Sequence, residues 1–456
     1  MSDFNTTNNI KVFTFKPTFK CQFLKDPIHN EINFDQDTSW MYKLLNTQEF
    51  KRLQDIKQLG LSINIFPGAT HSRASHCLGA YEVMRRVLSN DSFKKISKAE
   101  KMSLLCASLL HDLGHAPHSH AFEDYFASSL DKNSKFAFKH EDLSTRLITN
   151  SRGNIAPILL KNYVNPNVVA SLISSKHKKT NFPSWMAKLI SSEIDVDRID
   201  YLLRDSYYTG ANYGYIDVNA LTHWIHFDQK NKKLSFMKKA IPVIENFLIG
   251  RYHMYQTVYL NEKTSLLVGA LWFAFKRIKD LDAENKFDWK DNDYIRDVIR
   301  VLFNNQSTTK IDLDKYLLLN DSTFNNFLQT TYINTSDKIL YKILDSYFQN
   351  NKYVMVLFEN DAQRDFEFNK FMKEKNSKYF ITKYEYPQKI FYSPAEETEI
   401  CIFDENTKQT TPISKESEII RKGNDLFRQS NKHTSGILVH KDFLINNATI
   451  AKFLKR

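Results

Sequence analysis

Residues 109–124 read LLHDLGHAPHSHAFED and place His111, His115, His118 and His120 within ten positions, beside Asp112 and Glu123. A lone histidine at the end of an apolar run is ordinarily structural, but four of the chain's 14 in one stretch, with carboxylates among them, need a chemical reason. Two distant segments add residues of the same kind, His76 in HSRASH and Asp197 in EIDVDRID. Adjacent His and Asp side chains, completed by a His and an Asp from elsewhere, make a hard nitrogen and oxygen donor set. Such a set suits Fe, Mn, Zn or Mg better than a thiolate site does. HD alone arises by chance in a chain this long; the order H, HD, D with DLGH attached is specific.

These residues can meet only if separate helices carry them. Gly and Pro number 11 each in 456 residues, so few breakers interrupt helices and a mainly α class is expected. The segment FLKDPIHNEINF reads as a short strand and turn. From Thr38, Trp40, Leu44, Leu45, Phe50, Leu53, Ile56 and Leu59 recur near helical spacing, with Gly60 as a stop. A second helix is expected after GATHSRASH. A third begins at Ser97, where S-K-A-E is a capping-box pattern ahead of KMSLLCASLL. That helix delivers His111 and Asp112 at its end, before Gly114 and Pro117 break it. Further helices are expected at HEDLSTRLI, PILLKNYV, NVVASLISS, WMAKLISSEIDVDRIDYLLRDSYY and IPVIENFLIGRYHMYQTVYL, the last running on to about Lys279. Beyond them KYVMVLF, KYFITKYEY and EICIFDE look like strands around an amphipathic helix near EFNKFMKEK. The expected organisation is a polar N-terminal segment (1–23), an all-helical catalytic core (24–285) and a C-terminal helical and α+β lobe (286–456).

Lys and Arg total 63 against 52 Asp and Glu, a balance of +11 that favours anionic partners such as nucleotides, and weak binding to nucleic acid. Cys21, Cys77, Cys106 and Cys401 form no C-x-x-C pair, so neither a disulfide framework nor a thiolate zinc site is indicated. The first twenty residues lack an apolar h-region, and nowhere do eighteen apolar residues run together. A cytoplasmic protein with no membrane partner is expected.

The motifs DPIHNEI, FKRLQDIKQLG, FPGATHSRASHCLGAYEV, LLHDLGHAPHSHAFE, KHEDLS, IDVDRIDYLLRDSYYTG and RYHMYQTVY stand in an order and spacing that resemble the HD-domain deoxynucleoside triphosphate triphosphohydrolases. The likeness covers about 24 to 265 and is nearest in texture to the bacterial single-chain members, with no SAM domain ahead of it. The resemblance implies hydrolysis of a dNTP to deoxynucleoside and inorganic triphosphate, with His76, His111, Asp112 and Asp197 as metal ligands. It implies a second Mg bound with substrate, and assembly as a dimer or tetramer. His115 would contact the α-phosphate, His120 with Glu123 would be the general acid on the 5′ oxygen, and His140 matches another active-site histidine. Arg73, Arg198 and Arg251 match cations that neutralise the triphosphate, a task suited to guanidinium. Tyr201 and Asp205 match contacts to the sugar 3′-hydroxyl. Gln58, Leu59 and Tyr259 match the wall that leaves no room for a 2′-hydroxyl, although Tyr259 reads equally as core. His118 matches no functional position and reads as structural.

This chain departs from the pattern at Ala74, where a phenylalanine is usual, and at Arg198, where lysine is common. Asn46, Gln54 and Ala220 replace the acidic residue and the arginines that read a nucleotide activator in the animal members, so an activator, if used, is not read in their way. Two other readings stay open: another HD phosphohydrolase acting as a nucleotide phosphatase or phosphodiesterase, and a nucleic-acid-binding regulator on the same fold.

Overall fold

The computed structural model of the chain describes residues 22–128, 138–174, 183–290, 292–304, 306–349, 352–385, 391–392, 399–428 and 435–445. Nearly all of the polar segment expected over 1–23 lies outside them. The expected mainly α class is the class the chain adopts.

The chain opens with a hairpin, β1 (Gln22–Asp26) and β2 (Asn30–Phe34), where one strand and a turn were expected. The stretch from Thr38 is not one helix. It is a 3₁₀ turn over Ser39–Asn46, a short helix Gln48–Arg52 and a second 3₁₀ turn over Leu53–Asp55. Thr47 causes the break: it is extended, and its side chain accepts the Phe50 N–H to start a new helix. Next come α1 (Arg73–Leu88), capped by Ser72, and α2 (Lys98–Leu110), which starts at the Ser97 and Glu100 capping box and ends at His111. α3 (His120–Ser128), α4 (His140–Thr149) and α5 (Val196–Thr209) complete the frame. The long helix expected through WMAKLISSEIDVDRIDYLLRDSYY is split. Asp195 accepts the N–H groups of Ser192 and Arg198, so it ends the preceding turn and begins α5.

The expectation of an all-helical core is corrected by a second hairpin, β3 (Ile225–Asp228) and β4 (Lys233–Met237). It precedes α6 (Ile241–Met254), a π turn over Tyr255–Tyr259 and α7 (Glu262–Ala283). After α8 (Asp321–Asn334) and α9 (Lys338–Phe348) come β5 (Tyr353–Phe358), α10 (Asp361–Phe371), β6 (Ile381–Glu385), β7 (Cys401–Phe403), β8 (Thr410–Pro412), α11 (Glu418–Arg428) and β9 (Ser435–His440). β7 pairs parallel to β4, Phe236 opposite Ile402, and builds a sheet in the order β3-β4-β7-β8. β9 lies between β5 and β6, antiparallel to both.

Two apolar cores result. The first packs the 3₁₀ turn, α1, α2, α5 and α6, and also takes in Tyr392, Ile402, Ile413 and Ile420 from late in the chain. The second packs α3, α7, α8 and α9 with the β5-β9-β6 sheet. A cut at 285 therefore does not separate them. The early chain also reaches the second core through Leu61 and Phe122, and the late chain reaches the first.

Candidate metal centre and active site

Four side chains from three helices converge where the first core opens. His76 sits in the first turns of α1, His111 and Asp112 at the end of α2, and Asp197 in the first turn of α5. His76 Nε2 lies 2.9 Å from Asp197 Oδ1 and 3.2 Å from His111 Nε2. His111 Nε2 lies 3.3 Å from Asp112 Oδ1 and 3.5 Å from Asp197 Oδ1, and Asp112 Oδ2 is 3.9 Å from His76 Nε2. Donors sharing one transition metal at about 2.1 Å sit about 3 Å apart, so His76, His111 and Asp197 stand close enough to share one ion, and Asp112 stands beside them, nearest to His111.

The outer nitrogens settle the tautomers. His76 Nδ1 faces Asp200 Oδ2 at 2.8 Å and His111 Nδ1 faces the Ser108 carbonyl at 2.9 Å, so each carries its proton there and turns a bare Nε2 inward. Two lone pairs facing each other repel unless a cation lies between them. The chemistry of this donor set therefore fits a divalent metal. Without a metal, burial opposes charge on His76, yet Asp197 and Asp200 outweigh it and raise the ring to about 10, so a proton on Nε2 takes the place that a cation would fill and the bare Nε2 belongs to the metal-bound form. Burial likewise favours a neutral Asp197 carboxyl, but His111 and His76 hold it well below the usual carboxylate range. The site demands positive charge.

Asp200, absent from the sequence reading, anchors the centre from behind. It is fully buried and takes Arg204 Nε and Nη2 at 2.9 Å each and His29 Nε2 at 2.7 Å. Arg204 also bonds Asp26 at 2.8 Å, tying the β1 turn to α5. A Cβ on Gly79 would stand 1.8 Å from Asp200 Oδ1, so only glycine on α1 allows this approach. Cys77, which the spacing of cysteines had set aside, brings its sulfur within 4.8 Å of donor atoms of His111 and Asp112.

On the next layer His115 and His140 stack with ring centres 3.7 Å apart, and His115 Nε2 is 3.4 Å from Asp112. Burial, with Arg73 and His140 nearby, pushes His115 well below its ordinary value and keeps it neutral. Its Nδ1 is buried without a hydrogen-bond partner among the described residues. Glu123 Oε2 is shared by His140 Nδ1 at 2.9 Å and His120 Nδ1 at 3.3 Å, and Glu123 Oε1 accepts the His140 N–H at 3.2 Å. His140 is mostly buried, whereas the His120 side chain is 64% exposed and faces open space.

The three arginines are each engaged. Arg73 bonds Asp112 and, at 2.9 Å, Ser119 Oγ. Arg198 lies 3.3 Å from Asp195 with its side chain 29% exposed. Arg251 is buried against Glu193 at 2.8 Å and bonds the carbonyls of Glu193 and Phe391. Asp205 has both oxygens engaged at 2.7 Å, by His71 Nε2 and by the Tyr259 hydroxyl. The Tyr201 ring lies 6.4 Å from that of His76 and 6.0 Å, edge to face, from that of Tyr259. Gln58, Leu59, Tyr259 and His120 line a cavity of about 400 Å³ together with Trp272 and residues of β6, and none of the four expected metal ligands lines it. His118 is buried against Phe324, consistent with a structural residue.

The partners that sequence reasoning missed, Asp200, His71, Glu193, Asp195 and Ser119, act one step behind residues it found. A signal existed for Asp200 only, since D-R-I-D puts it one turn beyond Asp197.

The HD domain family model matches residues 73–205, the span from Arg73 to Asp205. An uncharacterized protein of Mycoplasma pneumoniae is 42% identical over 410 residues, which cover 89% of this chain and 96% of that one. The deoxynucleoside triphosphate triphosphohydrolase SAMHD1 homolog of Dictyostelium discoideum is 29% identical over 253 residues, 53% of this chain and 46% of its own length. The crystal structure of a phosphohydrolase from Bacteroides thetaiotaomicron superposes with a TM-score of 0.73 at 23% identity, over 92% of this chain and 99% of that one.

Proposed function

Because this chain belongs to the HD-domain family, we propose that it is a metal-dependent phosphohydrolase whose substrates are deoxynucleoside triphosphates, cleaved to deoxynucleoside and inorganic triphosphate. The observation that carries the reading is an arrangement: His76, His111 and Asp197 gathered within reach of one ion with Asp112 next to His111, an exposed His120 held by Glu123, and a cavity that His120 shares with Gln58, Leu59 and Tyr259. The likeness to a deoxynucleoside triphosphate triphosphohydrolase over half the chain supports the same substrate class.

A divalent cation on His76, His111, Asp112 and Asp197 would supply Lewis acidity to the α-phosphate and to the attacking water. The protein's own groups do the rest. Water adds to the α-phosphorus, the bond from phosphorus to the 5′ oxygen breaks, and that oxygen needs a proton. His120 lines the cavity with its side chain exposed, and Glu123 orients it, so His120 donates. His140 grips both Glu123 oxygens and fixes the carboxylate. Neutral His115 offers a hydrogen bond to the α-phosphate without adding charge. Arg73 and Arg198, each already beside a carboxylate, meet the phosphate oxygens, and Arg198, the more exposed, has room to swing. Asp205 and Tyr259 supply a bonded pair for the 3′-hydroxyl, and Leu59 crowds the 2′ position. Packed Arg251 braces Glu193.

Homo-oligomeric assembly, a second Mg with substrate and a nucleotide activator belong to the same reading, and light scattering with and without nucleotide checks the assembly. The deciding experiment is chromatography of products from a panel of dNTPs, NTPs and cyclic nucleotides with Mn or Mg. Inorganic triphosphate and deoxynucleoside in equal amounts are expected. Release of orthophosphate or pyrophosphate instead would move the chain to another phosphohydrolase class.

A further inference from the structure

Asp321, the first residue of α8, lies far along the chain from the metal ligands yet touches both loops that carry the substrate wall and the acid. It is buried, and each of its oxygens takes one backbone N–H: Oδ2 that of Lys57 at 2.8 Å, Oδ1 that of His118 at 2.9 Å. Lys57 immediately precedes Gln58 and Leu59; His118 stands two residues before His120.

The backbone between is strained. His118 and Ser119 have φ of 57° and 55°, two successive non-glycine residues in the left-handed region, where a Cβ crowds its own chain. That bend is what aims Ser119, whose Oγ accepts Arg73 Nε at 2.9 Å and donates to the Lys57 carbonyl at 3.0 Å. Gly60, at φ 48°, lets the two loops close, since a Cβ there would stand 2.7 Å from the His118 carbonyl oxygen. The neighbouring carbonyls are held from the same side. Arg52 bonds the carbonyls of Leu113, His115 and Leu319, and Tyr316 bonds that of Gly114.

The geometry points to Asp321 as a positioning residue, which holds the left-handed bend at His118 and Ser119 and thereby aims Arg73 and His120 at the substrate. Strain kept in place by a buried carboxylate beside reacting groups is the usual signature of a pre-organised site. The inference rests on the reaction proposed above.

Asp321→Asn keeps the size but turns an N–H toward one of the two N–H groups. It is expected to lower kcat at least tenfold on the dNTP that the wild type hydrolyses best, with KM changed less than threefold and Mn content and Tm near wild type. Glycine takes a positive φ at little cost, so His118→Gly in the Asp321→Asn background should restore at least half of the lost kcat, while His118→Gly alone stays near wild type. Hydrogen exchange over 113–120 should accelerate in Asp321→Asn. A wild-type kcat in Asp321→Asn overturns the role, as does a loss that His118→Gly does not relieve, or unchanged exchange over that loop. Failure of the dNTP reading shows separately, as a wild type that releases no triphosphate. The same variants are then read on bis(p-nitrophenyl) phosphate with Mn, and the exchange readout needs no substrate.

Discussion

Asp200 decides which nitrogen of His76 is bare, and its contribution is measurable apart from the ligands. Asp200→Asn should weaken metal affinity by about 10- to 100-fold, as removal of an orienting carboxylate does elsewhere, and competition with a fluorescent chelator reads it. An unchanged affinity would mean that packing alone orients the ring. At the reacting bond, His120→Ala should lower kcat by about 10²-fold or more with metal content intact, because a positioned acid contributes 10²–10⁴. If His140→Ala has the larger effect on kcat, the two histidines exchange roles. The residues proposed as ligands stood out because metals accept few residue types and the HD pair with DLGH is rare. Asp200 was not, because an aspartate one turn along a helix from another looks like any polar helix face until α1 is packed on it with Gly79 at the contact.

At the scale of elements, helix starts were legible where a side chain caps the backbone, as at Ser97, and illegible where a cap splits a periodic run, as at Thr47 and Asp195. The β3 and β4 hairpin is short and flanked by helices; only β3 alternates buried and half-buried residues, and over four positions that was too brief to register. β9 is buried along all six residues and shows no alternation at all. That strand ends at His440, which bonds Ser346 of α9 at 3.1 Å and is pushed down to about 4 by burial. Its folded value lies below its ordinary 6.5, so between those limits the unfolded chain binds the proton and the folded one does not. Stability from this group is full above about 6.5 and is lost as pH falls toward about 4. Thermal melts from pH 7 to pH 4.5 should show that slope, and His440→Gln should flatten it. An equal slope in the variant would assign the acid sensitivity to other groups.

The whole molecule is woven from two cores rather than joined from two beads, and the sequence did not reveal this because pairing between β4 and β7 leaves no local pattern. The family match spans 73–205, but groups that bond or pack against that part of the chain arrive later, Tyr316 and Asp321 on its backbone and Tyr392 and Ile402 in its core. A fragment of residues 22–285 is therefore expected to show no cooperative melt and to take up no stoichiometric metal, with near-UV circular dichroism and elemental analysis as the checks. A folded, metalated fragment would show that the late segments only decorate the first core. The sheet order β5-β9-β6 also has a meaning for how the protein is made. β5, with the apolar sequence YVMVLF, and β6 are both synthesised before the strand that lies between them. β5 waits about eighty residues for its partner, a long closure that slows folding. Through that interval the growing chain offers two open strand edges to its neighbours on the ribosome. Nascent chains halted before residue 435 should aggregate and recruit chaperones, whereas those extended past 440 should stay dispersed, so the protein's most vulnerable moment falls during its own synthesis.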